Sequence, residues 1–386
     1  MTSSAANALH IVHIVTRNQP GGSARNIGAQ LEWEVEQGCR VELVVGGHEA
    51  GAAIPPGVTV HRVHKLVREP NPWKDTQAAV HLWRLIRDCE PAIVHTHQSK
   101  AGLLGRLAAR SSGAVLVHTV HMASFGPGYS RGLSWVSAWA ERRCAQFTDF
   151  MITVGEELRS RYLSAGVGTE EQYSVVRSPA GIEPFLQTRI LSAEDRISLR
   201  RQLGLPIDSS IVIAAGLLEK RKRFDMAIDQ LSPLLGGKGT HLIIAGAGPE
   251  HGSLLQLAER RRVAEHVQFI GHVDNLPDYF AVANVLVHTS LTEGLPQVVV
   301  QALAAGLPIV ATNAEGLAEL QPSPLTCIDR NGEGLLRICT LALAAPRPEP
   351  IQSERLSPWT VWAVSQMRAS MHQRFAEAVQ LRKQAS

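Results

Sequence analysis

The feature that most constrains this chain is a repeated alternation of short apolar runs, several of them continuous in Val and Ile, with longer stretches of helical spacing. The runs fall at residues 10–16, 41–46, 58–63, 92–97, 115–121, 150–154 and 173–177, with helical patterns at 23–37, 76–89, 101–110 and 131–147. A strand that is apolar at every position, instead of every second one, has both faces covered, as in a parallel sheet between helices. Residues 178–184 break the pattern with two prolines and a glycine, and after a helical stretch at 193–203 it starts again. The second series has runs at 211–216, 241–245, 267–271, 285–290 and 308–312. This order predicts an α/β chain with two parallel-sheet domains, 1–178 and 209–345, joined by a linker at 179–208. A proline-rich break at 344–350 leads into a helical tail, 346–386. Its Trp359, Trp362, Met367, Met371 and Phe375 form an apolar stripe expected to pack back on the body.

Composition narrows the function. A chain of 386 residues suits two or three domains, and 45% hydrophobic with 19% charged residues excludes a disordered or fibrous chain. No apolar run reaches the roughly 18 residues that span a bilayer. The first residues lack the basic start and apolar core of a secretory leader. A cytoplasmic protein without stable membrane association is expected. Net charge is +3, from 38 basic and 35 acidic residues, too balanced for an electrostatic nucleic-acid binder. The five cysteines form no CxxC pair, which fits reduced thiols and not a disulfide or zinc framework.

The residues that carry chemistry concentrate between Thr289 and Pro308. A strand ends near Ser290, a loop carries Glu293, and Pro296 suits the first position of a helix, where its missing N–H is no loss. The amides of Gln297, Val298 and Val299 would point out of that helix start and favour a phosphate. Glu293 would crowd a phosphate but could accept hydrogen bonds from hydroxyls attached to one. This arrangement resembles the nucleotide-sugar site of family 4 retaining glycosyltransferases, which have two Rossmann-like domains facing across a cleft, the GT-B fold. Their signature is a glutamate, seven residues, and a second glutamate. Here those positions are Glu293 and Gln301. The resemblance implies that Glu293, with Gly294, Leu295 and Pro296 beside it, holds the transferred sugar, and that Gln301 holds the ribose with less charge assistance.

Other landmarks follow in the family's order. Gly21 and Gly22 look like its glycine loop, where backbone can approach a diphosphate or acceptor. His95 and His97 alternate with Thr96, so they share one sheet face; with no third ligand evident nearby, no metal is expected. The resemblance makes His121 the histidine that contacts the donor sugar, and it places His97, Lys100 and His121 itself on the acceptor side. In the second domain Lys222 matches the lysine that grips the diphosphate, whereas Leu217 stands where the family has an arginine. Lys220, Arg221 and Arg223 could substitute for it in space. Gly246 ends the next strand in a tight turn that would admit the nucleotide base. The implied enzyme is a metal-independent hexosyltransferase with UDP-sugar as co-substrate and no further cofactor. Its catalytic groups would be His121, Glu293 and Lys222.

A narrower likeness, to antibiotic-pathway members that place the first sugar on 2-deoxystreptamine, implies UDP-glucose or UDP-N-acetylglucosamine as donor and a soluble aminocyclitol as acceptor. Two other readings stay open: a glycosyltransferase acting on a lipid-linked or polysaccharide acceptor, and a non-catalytic nucleotide-sugar binder, suggested by Leu217 and Gln301. A dehydrogenase fits poorly, because no GxGxxG follows the first strand.

Overall fold

Each of the apolar runs becomes a strand in the computed structural model, which describes residues 9–19, 21–47, 51–236, 239–314, 316–320, 325–345 and 353–385. Residues 1–8, read as lacking a leader, and the prolines within 346–350 lie outside the described residues. The chain divides into two units, Met1–Ser178 with Trp362–Ser386, and Pro179–Val361.

The first unit runs β1 (His10–Val15), α1 (Gly22–Glu36), β2 (Arg40–Gly46), β3 (Val58–Val63), α2 (Pro72–Cys89), β4 (Ile93–His97), α3 (Ser99–Ala109), β5 (Val115–Val120), α4 (Arg131–Ala145), β6 (Phe150–Thr153), α5 (Glu156–Ser164) and β7 (Tyr173–Val175). Its seven strands lie in the order β3-β2-β1-β4-β5-β6-β7, all parallel. Strand order reverses between β1 and β4, and such a switch point opens a crevice at the carboxyl ends of the strands.

The second unit holds α6 (Glu183–Gln187), α7 (Ala193–Gln202), β8 (Ser210–Ala215), α8 (Phe224–Leu235), β9 (Thr240–Ala245), α9 (His251–Arg260), β10 (Val267–Gly271), α10 (Leu276–Val282), β11 (Val285–His288), α11 (Gln297–Ala304), β12 (Ile309–Thr312), β13 (Leu325–Ile328), α12 (Leu335–Ala344) and α13 (Ser353–Leu356). Its parallel sheet has the order β10-β9-β8-β11-β12-β13, with the switch point between β8 and β11. Residues 179–208, read from sequence as a linker, hold α6 and α7 within this unit. There Arg200 donates to the Val282 carbonyl at 2.8 Å and to Asn284 Oδ1 at 3.1 Å.

The last helix, α14 (Val361–Ala385), closes over the first unit's sheet. Met371, Phe375 and Val379 join Ile11, Ile93, Val115 and Val117 in one buried cluster. Arg382 clamps Asp149 at 2.7 and 2.8 Å. The packing helix is as expected, and so are Met367, Met371 and Phe375 of its stripe, but the two tryptophans are not part of it. Trp359 is buried in the second unit and Trp362 stands 73% exposed. Buried Arg368 and His372 meet α1 instead, Arg368 at Ala29 and Asn26 and His372 at Glu34.

Candidate functional site

The switch point of the second sheet brings together the residues singled out there from sequence. After β8 the chain forms a short turn, Lys220–Lys222, and after β11 it runs through Thr289 to Glu293. Thr289 Oγ1 donates to the carbonyls of Lys222 and Arg223, each at 2.8 Å, and the Leu291 amide donates to the Arg221 carbonyl at 2.9 Å. These bonds tie the two loops together. Lys222 Nζ donates directly to Glu293 Oε1, and Arg221 Nη1 lies 3.9 Å from Glu293 Oε2. Arg221 therefore approaches the carboxylate, whereas Leu217 brings no charge there. Gly316 fixes the loop from the other side: its φ is +78°, and a Cβ on it would meet the Gly294 carbonyl oxygen at 2.5 Å.

Burial alone would raise the Glu293 pKa, but the neighbouring charges outweigh it and hold the group at about 2. His288 Nε2 is 3.5 Å from Glu293 Oε1. Burial depresses that imidazole to about 4, so at neutral pH it is uncharged and Lys222 and Arg221 do the holding. His288 Nε2 and Ser290 Oγ are buried with no hydrogen-bond partner among the described residues. Sequence reading did not single out either one. Both follow from strand parity, because β11 ends at this edge.

Several expectations change here. Pro296 is the cap that precedes α11, not its first residue, because its ψ of 94° is extended. The Val299 amide is not open to a ligand, since it donates to the Pro296 carbonyl at 2.9 Å and tightens the first turn. Gln297 and Val298 stand at the helix start as expected. Gln301 is buried, with its Nε2 donating to the Ala180 carbonyl at 2.7 Å, a bond that a glutamate could not make. Gly246 serves loop packing: at φ +147°, a Cβ would sit 1.9 Å from the Gly216 carbonyl oxygen.

In the first unit Gly21 caps α1 and Gly22 opens it. His97, expected on the acceptor side, is enclosed by other histidines. It is buried in a line of imidazoles, with His13 Nδ1 2.9 Å from its Nε2 and His121 Nε2 3.1 Å from its Nδ1. His13 Nε2 meets Glu34 Oε2 at 2.6 Å. His121 sits just past β5, and burial holds its pKa down to about 4. Lys100 is engaged within its own unit, paired with Asp75 at 2.6 Å and donating to the Glu69 carbonyl.

His13 also supplies the third histidine that sequence reading did not find beside His95 and His97. Their ligand atoms lie within 4.8 Å of one another. However, the facing nitrogens of His13 and His97 are joined by a hydrogen bond, in which one carries the proton and the lone pair of the other accepts it, so neither is turned to a common point. Glu42, His61 and Cys89 form a second such group, in which Glu42 Oε2 already accepts from His61 at 2.6 Å.

Two parallel-sheet Rossmann-like units in one chain define the GT-B class of fold. Residues 209–335 match the family described as Glycosyl transferases group 1, and residues 21–177 match the Glycosyl transferase 4-like domain. The chain is 26% identical over 260 residues to UDP-Gal:alpha-D-GlcNAc-diphosphoundecaprenol alpha-1,3-galactosyltransferase of Escherichia coli, covering 66% of each. It is 26% identical over 352 residues to D-inositol 3-phosphate glycosyltransferase of Streptomyces coelicolor, covering 80% of this chain and 77% of that one. Sucrose-phosphate synthase from Thermosynechococcus elongatus shares the fold, with a TM-score of 0.80 over 96% of this chain and 100% of that one, at 18% identity. The chain belongs to the group 1, glycosyltransferase 4-like family and is a glycosyltransferase.

Proposed function

We propose that this enzyme moves a hexose from a UDP-sugar with retention of configuration. The observation that carries the proposal is the Lys222–Glu293 pair beside Arg221 at the second switch point. Arg221, 3.9 Å from Glu293, is also held by Glu219 at 2.8 Å, so two cations stand beside two carboxylates, and a diphosphate would draw both cations to itself. When the donor binds, its diphosphate takes over Lys222 and Arg221, and Glu293 is freed to accept hydrogen bonds from sugar hydroxyls. The unpartnered His288 Nε2 and Ser290 Oγ offer further polar contacts. The Escherichia coli relative is named for a donor of this kind, UDP-Gal.

In a front-face transfer the acceptor oxygen bonds to the anomeric carbon as the bond to the diphosphate oxygen breaks. That departing oxygen takes the acceptor's proton. Negative charge grows on the diphosphate along this path, so Lys222 and Arg221 favour the transition state over bound substrate. His121 is assigned to the sugar by resemblance. The test is mass spectrometry of UDP-glucose and UDP-N-acetylglucosamine incubated with an acceptor panel. Product and UDP release are expected, and their loss in Lys222→Ala and in Glu293→Ala. Full activity in either variant would remove the site assignment, and tight UDP-sugar binding without turnover would make the protein a binder.

For the acceptor, the first reading is a soluble aminocyclitol such as 2-deoxystreptamine, which rests on likeness of sequence. One observation favours a lipid-linked acceptor instead. Along α4, Trp135 and Trp139 are 66% and 48% exposed, with Leu133 and Val136 beside them. Arg142 and Arg143 follow, and the only acid of the helix, Glu141, is buried against Arg106 at 2.6 Å. An apolar stripe with cations and no exposed acid suits an anionic bilayer surface. Co-sedimentation with phosphatidylglycerol vesicles but not phosphatidylcholine vesicles, lost in Trp135→Ser/Trp139→Ser, would support the lipid reading. Absence of binding would leave the soluble one.

A further inference from the structure

Four described residues other than glycine have a positive φ: Glu90, Gln98, Arg223 and Arg262. Glu90 and Arg223 combine it with ψ of 55° and 40°, the ordinary left-handed turn. Gln98, at φ 62° and ψ 162°, does not. That combination is nearly reserved for glycine, because a Cβ there crowds the neighbouring backbone. Gln98 follows the last residue of β4 and stands at the N-cap of α3, beside the switch point of the first sheet. Its side chain does not cap that helix.

The side chain reaches instead to the loop that leaves β1. Its Oε1 accepts from the amides of Thr16 and Arg17 at 3.0 and 3.1 Å, and its Nε2 donates to the Arg17 carbonyl at 2.9 Å. Backbone amides only donate and a carbonyl only accepts, so these partners fix which way the glutamine amide points. From the first turn of α3, the Ala101 amide adds a bond to Thr16 Oγ1 at 3.0 Å. One residue past Arg17, Asn18 Nδ2 donates to the Ala52 carbonyl at 2.9 Å. The loop is thus held at several points on its way to Gly21. A Cβ on Gly21 would meet no described atom within 4 Å, so the backbone there lies open to a ligand, where the family resemblance puts one. Glycine at position 98 would remove the strain, and with it all three bonds of the glutamine side chain.

We propose that Gln98 is a positioning residue for the transfer reaction: its side chain clamps the backbone of Thr16 and Arg17 to the end of β4 and so sets the place of Gly21 against the bound substrates. Backbone strain persists only where surrounding contacts over-determine it. Here the three side-chain bonds do so, together with the Gly102 amide, which donates to the Gln98 carbonyl at 2.8 Å. What the loop meets rests on the UDP-sugar reading above; the clamp does not.

Two substitutions in the full chain part the clamp from the strain. Gln98→Ala loses the clamp and keeps the strain, whereas Gln98→Gly loses both. Amide hydrogen exchange at Thr16 and Arg17 should quicken about fivefold in each, the net worth of one hydrogen bond. Urea midpoints should separate the two, with Gln98→Gly above Gln98→Ala. In kinetics, kcat/KM for the UDP-sugar should fall alike in both, by up to about a hundredfold, the cost of an ångström-scale misplacement. Activity that follows the midpoints, with Gln98→Gly near the parent, would make Gln98 a structural residue only and overturn the proposal. Unchanged exchange at Thr16 and Arg17 would overturn it too. Should Gln98→Ala not fold, Gln98→Gly is free of the strain and is read by exchange and kcat/KM. If the parent transfers sugar from no UDP-sugar, the UDP-sugar reading fails, while exchange and midpoints still decide the clamp.

Discussion

At the scale of single residues, Glu293 and His288 tie the site to pH. Both bind fewer protons in the folded chain than unfolded, where a glutamate titrates near ~4.3 and a histidine near ~6.5. Stability therefore falls as pH falls. The share from His288 is complete above about 6.5 and is lost on the way down to its folded value of about 4. The share from Glu293 is complete above about 4.3 and is lost toward its folded value of about 2. We expect His288→Gln to lose less stability than the parent between pH 7 and pH 4, by about 3 kcal/mol at most, in urea unfolding at stepped pH. Identical slopes for the two proteins would show that His288 is not held neutral. The residues themselves were unevenly readable. Lys222 and Glu293 stood out because each follows a strand and matches a motif. His13 did not, since a single histidine inside an apolar strand has no signal until register lines it up with His97. The engagement of Gln301 was out of reach for a similar reason: its partner carbonyl, Ala180, is 121 positions away.

At the scale of elements, strands were readable wherever both faces are buried, because an unbroken apolar run leaves few alternatives. β13 escaped notice: it has four residues, Thr326 and Cys327 among them, and only its two ends are buried. Helix α14 was found, and Met367, Met371 and Phe375 lie on its packing side as expected, but Trp362 does not, since tryptophan was weighed above position. Residues 364, 368, 371, 372, 375 and 379 face inward, at steps of three and four with one adjacent pair. Arg368 is buried there because carbonyls receive it: Nη1 donates to Ala29 at 2.7 Å and Nη2 to Asn26 Oδ1 at 3.2 Å. This separates two aromatic variants on one helix. Phe375, 1% exposed with its ring 5.1 Å from that of Phe150, should cost about 3–5 kcal/mol as Phe375→Ala. Trp362, 73% exposed, should cost under about 0.5 kcal/mol as Trp362→Ala. Denaturant midpoints in the reverse order would mean that the helix packs by its other face.

At the scale of the whole molecule, each unit has its own sheet, switch point and core. The donor cluster Lys222, Arg221 and Glu293 belongs entirely to the second unit, and the histidine line entirely to the first. Uridine diphosphate, which lacks the sugar, should therefore act on one unit alone. A ligand that binds only the folded state adds stability by mass action, about 2.7 kcal/mol at a hundred times its dissociation constant. Amide exchange governed by opening of the second unit should slow accordingly. The effect should be strongest in the loops after β8 and β11, where Lys222 and Glu293 exchange their mutual bond for contacts to the ligand. Strands β1 and β4 should keep their rates. Protection confined to the first unit would place the nucleotide there and end the assignment of Lys222 and Glu293. Equal slowing of both units would mean that they open as a single cooperative body, although their cores are separate.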